Sequence, residues 1–236
     1  MQQQDNNGQG RQQLRWWPPA CLASGMHSTV AASSISALLP PLALPDWQQG
    51  LPLLANDRVI LRELQLSDAP TLLAMLTSHD VARFISPPPL TIEGFERFII
   101  CANGERAAGR YACYGVIPRG VDTPIGIFQV RPLEPKFFAA DWGFAIGSPF
   151  WGTGVFGAAA EMVLEFAFDT LGVHRLEARS VVANGRGNGA LRKVGAVCEG
   201  VLRRSLLKNG EYHDQHLWSI LEGEWRMLRR AHMTIN

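Results

Sequence analysis

Apolar and polar positions alternate through Arg58-Val59-Ile60-Leu61-Arg62-Glu63-Leu64, and its β-branched residues mark a first strand. The period then changes to helical, with Leu72, Leu73, Met75 and Leu76 behind a Ser67-Asp68 cap. Pro87-Pro88-Pro89 forbids helix continuity, and Thr91 opens a second helical pattern through Phe95, Phe98 and Ile99 to about residue 104 or beyond. Three β-prone runs follow at 111–117, 124–130 and 137–146, separated by Arg119-Gly120 and by 132–135, which predicts an antiparallel meander. Met162, Val163, Phe166 and Ala167 recur at helical spacing and predict a long helix reaching Leu171, with Gly172 as its stop. A strand at 175–182 and a short, glycine-weakened helix at 184–194 come next. The runs 196–207 and 212–221 flank Lys208-Asn209-Gly210-Glu211, a hairpin signal. The predicted order is β-α-α-β-β-β-α-β-α-β-β.

Residues 1–50 show no period. They are rich in Gln and Asn up to Gln13 and in small residues, Ser, Pro and Leu up to Pro45, so they read as a disordered tail or a misassigned start, with Met26 among the alternative beginnings. Pro40 and Pro41 interrupt the apolar stretch 34–44, which argues against a signal or membrane helix. One domain is expected over 51–224, with a C-terminal tail at 225–236.

Composition narrows the class. The 236 residues, 47% hydrophobic and 18% charged, suit one domain with a real core. A formal net charge of +1 gives no case for nucleic acid or a membrane surface as partner. Cys21, Cys101, Cys113 and Cys198 lie far apart without CxxC spacing, which predicts reduced thiols, a cytoplasmic protein and no metal site. His213 and His216, three apart in a strand, point to opposite faces and do not form a ligand pair.

The strongest chemical signal is Phe150-Trp151-Gly152-Thr153-Gly154-Val155-Phe156-Gly157, a glycine turn opening into a helix. Free amides of a helix's first turn, backed by the macrodipole, attract an anion, and glycine lets a phosphate approach the backbone. Tight turns also use glycine for conformational freedom alone, so the turn by itself leaves both readings open. A Rossmann oxidoreductase is disfavoured because the turn follows a meander and not the first strand of a βαβ unit.

With that turn after the fourth strand, the element order resembles the GNAT superfamily of acyl-CoA N-acyltransferases, and particularly its ribosomal-protein N-terminal acetyltransferase (Rim-type) branch. Asp141-Trp142-Gly143-Phe144-Ala145-Ile146 resembles the branch's fourth strand and His174-Arg175-Leu176-Glu177-Ala178 its fifth. Asn184 through Leu191-Arg192-Lys193-Val194-Gly195 resembles the Asn-led helix, and Lys208-Asn209-Gly210-Glu211-Tyr212-His213-Asp214 the closing hairpin. The resemblance implies an α/β (α+β) fold: a mixed, mainly antiparallel sheet of about seven strands, flanked by helices and splayed between the fourth and fifth, usually at a bulge. It implies acetyl-CoA as co-substrate and an amine acceptor, a protein N-terminus or a small molecule, with the chain a monomer or homodimer. The pantetheine arm would lie along Phe144, Ala145 and Ile146. The pyrophosphate would lie on Trp151, Gly152, Thr153, Gly154, Val155, Phe156 and Gly157, with Asn184 and Asn188 as further cofactor contacts. Asp141 is the candidate base for the amine.

Two positions depart from the family pattern. Pro149 stands where a Gln or Arg is usual, and Gly187 stands where the branch has a serine that protonates the departing thiolate. Asn188, Tyr212 or a water could take over that proton transfer, and a CoA-binding regulator without efficient transferase activity is the competing reading. His213 and Asp214 are candidates for the acceptor border, and Trp142, Trp151 and Trp218 for core or cleft wall.

Overall fold

The computed structural model describes residues 46–134 and 137–235. In chain order its strands are β1 (Leu54–Ala55), β2 (Val59–Glu63), β3 (Ala112–Pro118), β4 (Gly126–Pro132), β5 (Ala139–Ile146), β6 (Arg175–Val181), β7 (Val197–Lys208) and β8 (Glu211–Leu221). The helices are α1 (Ala69–Leu76), α2 (His79–Ala82), α3 (Ile92–Ala107), α4 (Val155–Glu165), α5 (Gly185–Lys193) and α6 (Glu222–Ile235). The expected fourth and fifth strands are β5 and β6.

The strands form one sheet in the order β1-β2-β3-β4-β5-β6-β8-β7. Every pairing is antiparallel except β5 with β6, which joins the meander to the C-terminal hairpin. Alternation along the strands feeds a core on each face. Phe128, Trp142 and Leu176 pack with Ala159 and Val163 of α4, whereas Ile127 and Ala145 pack with Leu72 of α1 and Phe95 of α3.

The sequence pattern places most elements correctly, and the exceptions have local causes. Among the described residues there are eight strands where about seven are expected, because β1, two residues long, pairs Leu54 with Leu61 and is too short to show a period. Helix α2 adds one turn inside the stretch between α1 and Thr91. Thr91 does cap α3, accepting from Gly94 N at 3.0 Å. Asp68 makes no side-chain cap to α1. Its buried carboxylate takes Arg62 through two hydrogen bonds, at 2.7 and 2.8 Å, and accepts from Gln65 N. α4 continues as a π-helical turn over Phe166–Thr170 and stops at Gly172, φ +70°. Asn209 and Gly210, at φ +50° and +82°, make the hairpin turn.

Residues 225–235, expected in a tail, belong to α6. Trp225 is buried against the Phe168 ring, with centroids 5.1 Å apart. Trp47, ahead of the expected boundary at 51, meets the Phe137 ring edge-on. The expected tail up to residue 45 lies outside the described residues. Cys113 and Cys198 are free thiols and Cys101 is disulfide-bonded, so the expectation of reduced cysteines holds for the first two and fails at Cys101.

Candidate active site

The site begins where two strands part. β5 and β6 pair only at Ala139 with Arg175, Ala140 with Leu176 and Asp141 with Glu177. Beyond that point β5 runs to Ile146 and β6 to Val181 as separate edges. The expected splay is therefore present, but the expected bulge is not: the β4–β5 ladder holds one register from Pro132–Ala140 to Gly126–Ile146. Gly126 permits this close ladder, since a Cβ there would sit 2.2 Å from Ala145 O.

At the open end of β5 lies the glycine turn. Gly152 and Gly154 have φ of +79° and +87°, a region that side-chain-bearing residues rarely adopt. Thr153 Oγ1 donates to Phe150 O at 2.8 Å, and Trp151 Nε1 donates to Ile146 O at 2.8 Å, tying the turn to the strand end. Ala158 N closes onto Gly154 O at 3.2 Å, so the amides of Val155, Phe156 and Gly157 precede the ladder, as first-turn donors do. Two exposed cations flank them. Arg58 Nη1 would lie 2.8 Å from a Cβ on Gly154, and the Arg186 guanidinium stands over the Trp151 ring at 4.5 Å. Sequence reading missed both. Arg58 immediately precedes β2, and no local signal links it to the turn.

Behind the parting strands is a cleft lined by Asp141, Gly143, Phe144, Arg179, Ser180 and Asn184 among others. Register and alternation divide its groups between the sheet faces. Arg131, Asp141 and Glu177 are directly opposite one another across β4, β5 and β6, and Arg179 shares their face. Asp141 Oδ2 accepts from Arg131 Nε at 3.0 Å. Burial nevertheless holds the Asp141 carboxyl above the usual carboxylate range, against the opposing pull of the Arg131 and Arg179 charges. Desolvation lowers the Arg179 pKa, and its buried Nε has no hydrogen-bond partner. Phe84, Ile85, Leu206 and Gln215 also line the cleft. Lys208 Nζ bonds the carbonyls of Ala82 and Ile85, fastening the β7–β8 hairpin across it.

On the opposite face are Ser180 and α5. Asn184 caps α5, accepting from Gly187 N at 2.9 Å. Asn188 is consumed by the fold: its Nδ2 donates to Val181 O at 3.0 Å and Asn184 O at 2.8 Å, while its Oδ1 meets Trp218 Nε1 at 2.9 Å and His216 Nδ1 at 3.2 Å. It is not part of the cleft lining. Tyr212 is 53% exposed at the hairpin, beneath Arg204, and is also absent from the lining. Asp214 accepts from Arg204 N at 2.7 Å, within the irregular stretch of β7–β8. Trp142 and Trp218 are core, and Trp151 is half-buried beside the turn.

The structure thus brings Asp141, Phe144 and Asn184 to one cleft, with Ala145 and Ile146 along the same freed strand and the turn 152–157 following the strand's end. It leaves Tyr212 and Asn188 outside. The sequence pattern did contain a hint of Ser180, the hydroxyl in the buried phase Leu176, Ala178, Ser180 of β6.

Comparison with known proteins identifies this arrangement. The family model described as an acetyltransferase (GNAT) domain matches residues 58–197, more than half of the chain, and the protein belongs to that family of acyltransferases. It is 28% identical over 174 residues to the uncharacterized N-acetyltransferase YoaA of Bacillus subtilis, covering 72% of this chain and 97% of that one. Its fold matches the ribosomal-protein-S5-alanine acetyltransferase of Vibrio fischeri (TM-score 0.66, 20% identity, 74% of this chain and 98% of that one). It also matches Mycobacterium smegmatis RimJ, solved in complex with CoA-disulfide (TM-score 0.64, 22% identity, 70% and 83%).

Proposed function

We propose that this GNAT acetyltransferase moves an acetyl group from acetyl-CoA to a primary amine by direct transfer in a ternary complex. One observation carries the reading: β5 and β6 stop pairing after Asp141 and Glu177, and the freed edge leads to a glycine turn flanked by Arg58 and Arg186. The amides of 152–157 and these two guanidiniums take the pyrophosphate, supplying the charge that Pro149 does not. Backbone groups of Phe144, Ala145 and Ile146 hold the pantetheine arm as a neighbouring strand would. Asn184 borders it while capping α5. Acetyl-CoA, when bound, supplies the activated thioester. Asp141 receives the proton that the amine loses, a role its raised pKa suits, and no cysteine nucleophile is involved.

The acceptor enters over Phe84, Ile85 and Leu206. Because the S5-alanine enzyme shares the fold, peptides with free N-termini are the first acceptor class to test, followed by small amines. Incubation with acetyl-CoA and such a panel, with mass detection of product and assay of released thiol, decides the matter. Acetylated amine with stoichiometric thiol is the expected result. CoA binding without product from any amine would favour the regulator that Gly187 suggests.

A further inference from the structure

We propose that Ser180 protonates the departing CoA sulfur, an inference that rests on the acetyl-transfer reading above. Ser180 is 7% exposed, its Oγ has no hydrogen-bond partner, and it lines the cleft just beyond the last β5–β6 pair. Buried hydroxyls are rarely left so, and one on a residue that lines a ligand cleft has its partner to gain from the ligand.

Its position explains the glycine at 187. A Cβ on Gly187 would lie 3.1 Å from Ser180 Oγ and 2.4 Å from Asn184 Nδ2. The space that a side chain at 187 would fill is therefore held by a strand hydroxyl and the helix cap. The two side chains that compete for the role are spent or distant: Asn188 is fully engaged, and Tyr212 is exposed outside the cleft. Arg179 Nε, also unpartnered, belongs to the opposite face with Asp141. The two faces thus divide the two proton transfers. On one, the attacking nitrogen forms its bond to the carbonyl carbon and passes a proton to Asp141, which releases it to water. On the other, the carbon–sulfur bond breaks, its electron pair stays on sulfur, and Ser180 Oγ–H gives the sulfur a proton. The serine oxygen recovers one from water, so in sum the amine proton is exchanged for the thiol proton.

The test compares the parent with Ser180→Ala and Ser180→Thr, using acetyl-CoA and the amine that the panel shows to react fastest. Turnover of Ser180→Ala falls about 10²-fold or more, with acetyl-CoA affinity kept within about twofold, and Ser180→Thr restores most of it. CoA itself supplies a second readout, the ultraviolet absorbance of its bound thiolate across pH. Loss of a donor to sulfur moves that titration to higher pH in Ser180→Ala. Parent-like turnover and titration in Ser180→Ala overturn the proposal. So does a Ser180→Ala protein that loses thermal stability, because the hydroxyl would then hold a structural bond. A parent that binds no CoA removes the transfer reading itself, and this inference with it.

Discussion

The glycine turn and the splayed cleft are two ends of one site built on different principles. The turn is made by a contiguous stretch of backbone, exposed and positive, whose donors follow from helix geometry alone. The cleft is made by side chains from β4, β5, β6 and α5, buried and partly unsatisfied, with desolvation raising the Asp141 pKa and lowering that of Arg179. On the function proposed above, the first holds a charged group and the second moves protons. Substitution should therefore separate binding from turnover cleanly between them.

The largest expected effect is at the cleft. Asp141→Asn keeps shape and removes basicity, so turnover should fall roughly 10²- to 10⁴-fold with acetyl-CoA affinity nearly intact. A base works only when ionised, so the parent rate should rise as pH climbs through the Asp141 pKa, which lies above the usual carboxylate value. The variant should lose that acid-side limb. A variant matching the parent in rate and profile would make Asp141 merely the partner of Arg131. At the turn the reverse is expected. Gly154→Val introduces a side chain at φ +87° and pushes against Arg58, so calorimetric affinity for CoA should weaken by about 1.5–3 kcal/mol for each charge-assisted bond lost. Unchanged affinity in a folded Gly154→Val protein would dismantle the comparison from the turn's side.

The same contrast explains what could be read from the sequence. Gly152, Gly154 and the helix behind them are neighbours in the chain, so the turn was legible as a motif, as were Asn209-Gly210 and the Thr91 cap. The β5–β6 splay and Asp141 came through family resemblance. Arg131 and Arg179 are placed at the cleft by sheet register, and Arg58 meets the turn from a distant part of the chain, relations that no window of sequence contains. Asn188 and Tyr212 lie outside the cleft lining for a related reason. Their polar atoms suit chemistry, but tertiary packing turned one inward to Trp218 and His216 and left the other on the hairpin surface.

A smaller effect should follow from Gly187→Ser, which restores the hydroxyl usual in the branch. The added Cβ meets Asn184 Nδ2 at 2.4 Å and must displace the side chain that caps α5. Losing such a cap costs about 0.5–2 kcal/mol, a fall of a few degrees in Tm for a domain of this size. Thermal unfolding with stability at or above the parent's would show that Asn184 yields freely and that Gly187 is no steric necessity.

The smallest effect tests the zipped end of β5–β6 as a control for the splayed one. Arg175, paired with Ala139, bonds both Glu177 and Glu199, and Ser219 also donates to Glu199. These contacts, with the Arg175 bond the largest, hold the Glu199 pKa down to about 2 from its ordinary 4.5. A carboxylate lowered on folding contributes stability above its unfolded pKa and loses it as pH falls toward the folded value. Glu199→Gln should therefore lower stability slightly at neutral pH, by less than about 1 kcal/mol because the side chain is 38% exposed. The gap between variant and parent should close between about pH 4.5 and 2. Acetyl-CoA affinity and turnover should not change, since no proton or phosphate is handled at this end. A gap that persists at pH 2 would remove the ion pair as its source. Altered turnover would mean that the zipped pairs set how far the strands open, coupling two ends that the comparison treats as independent.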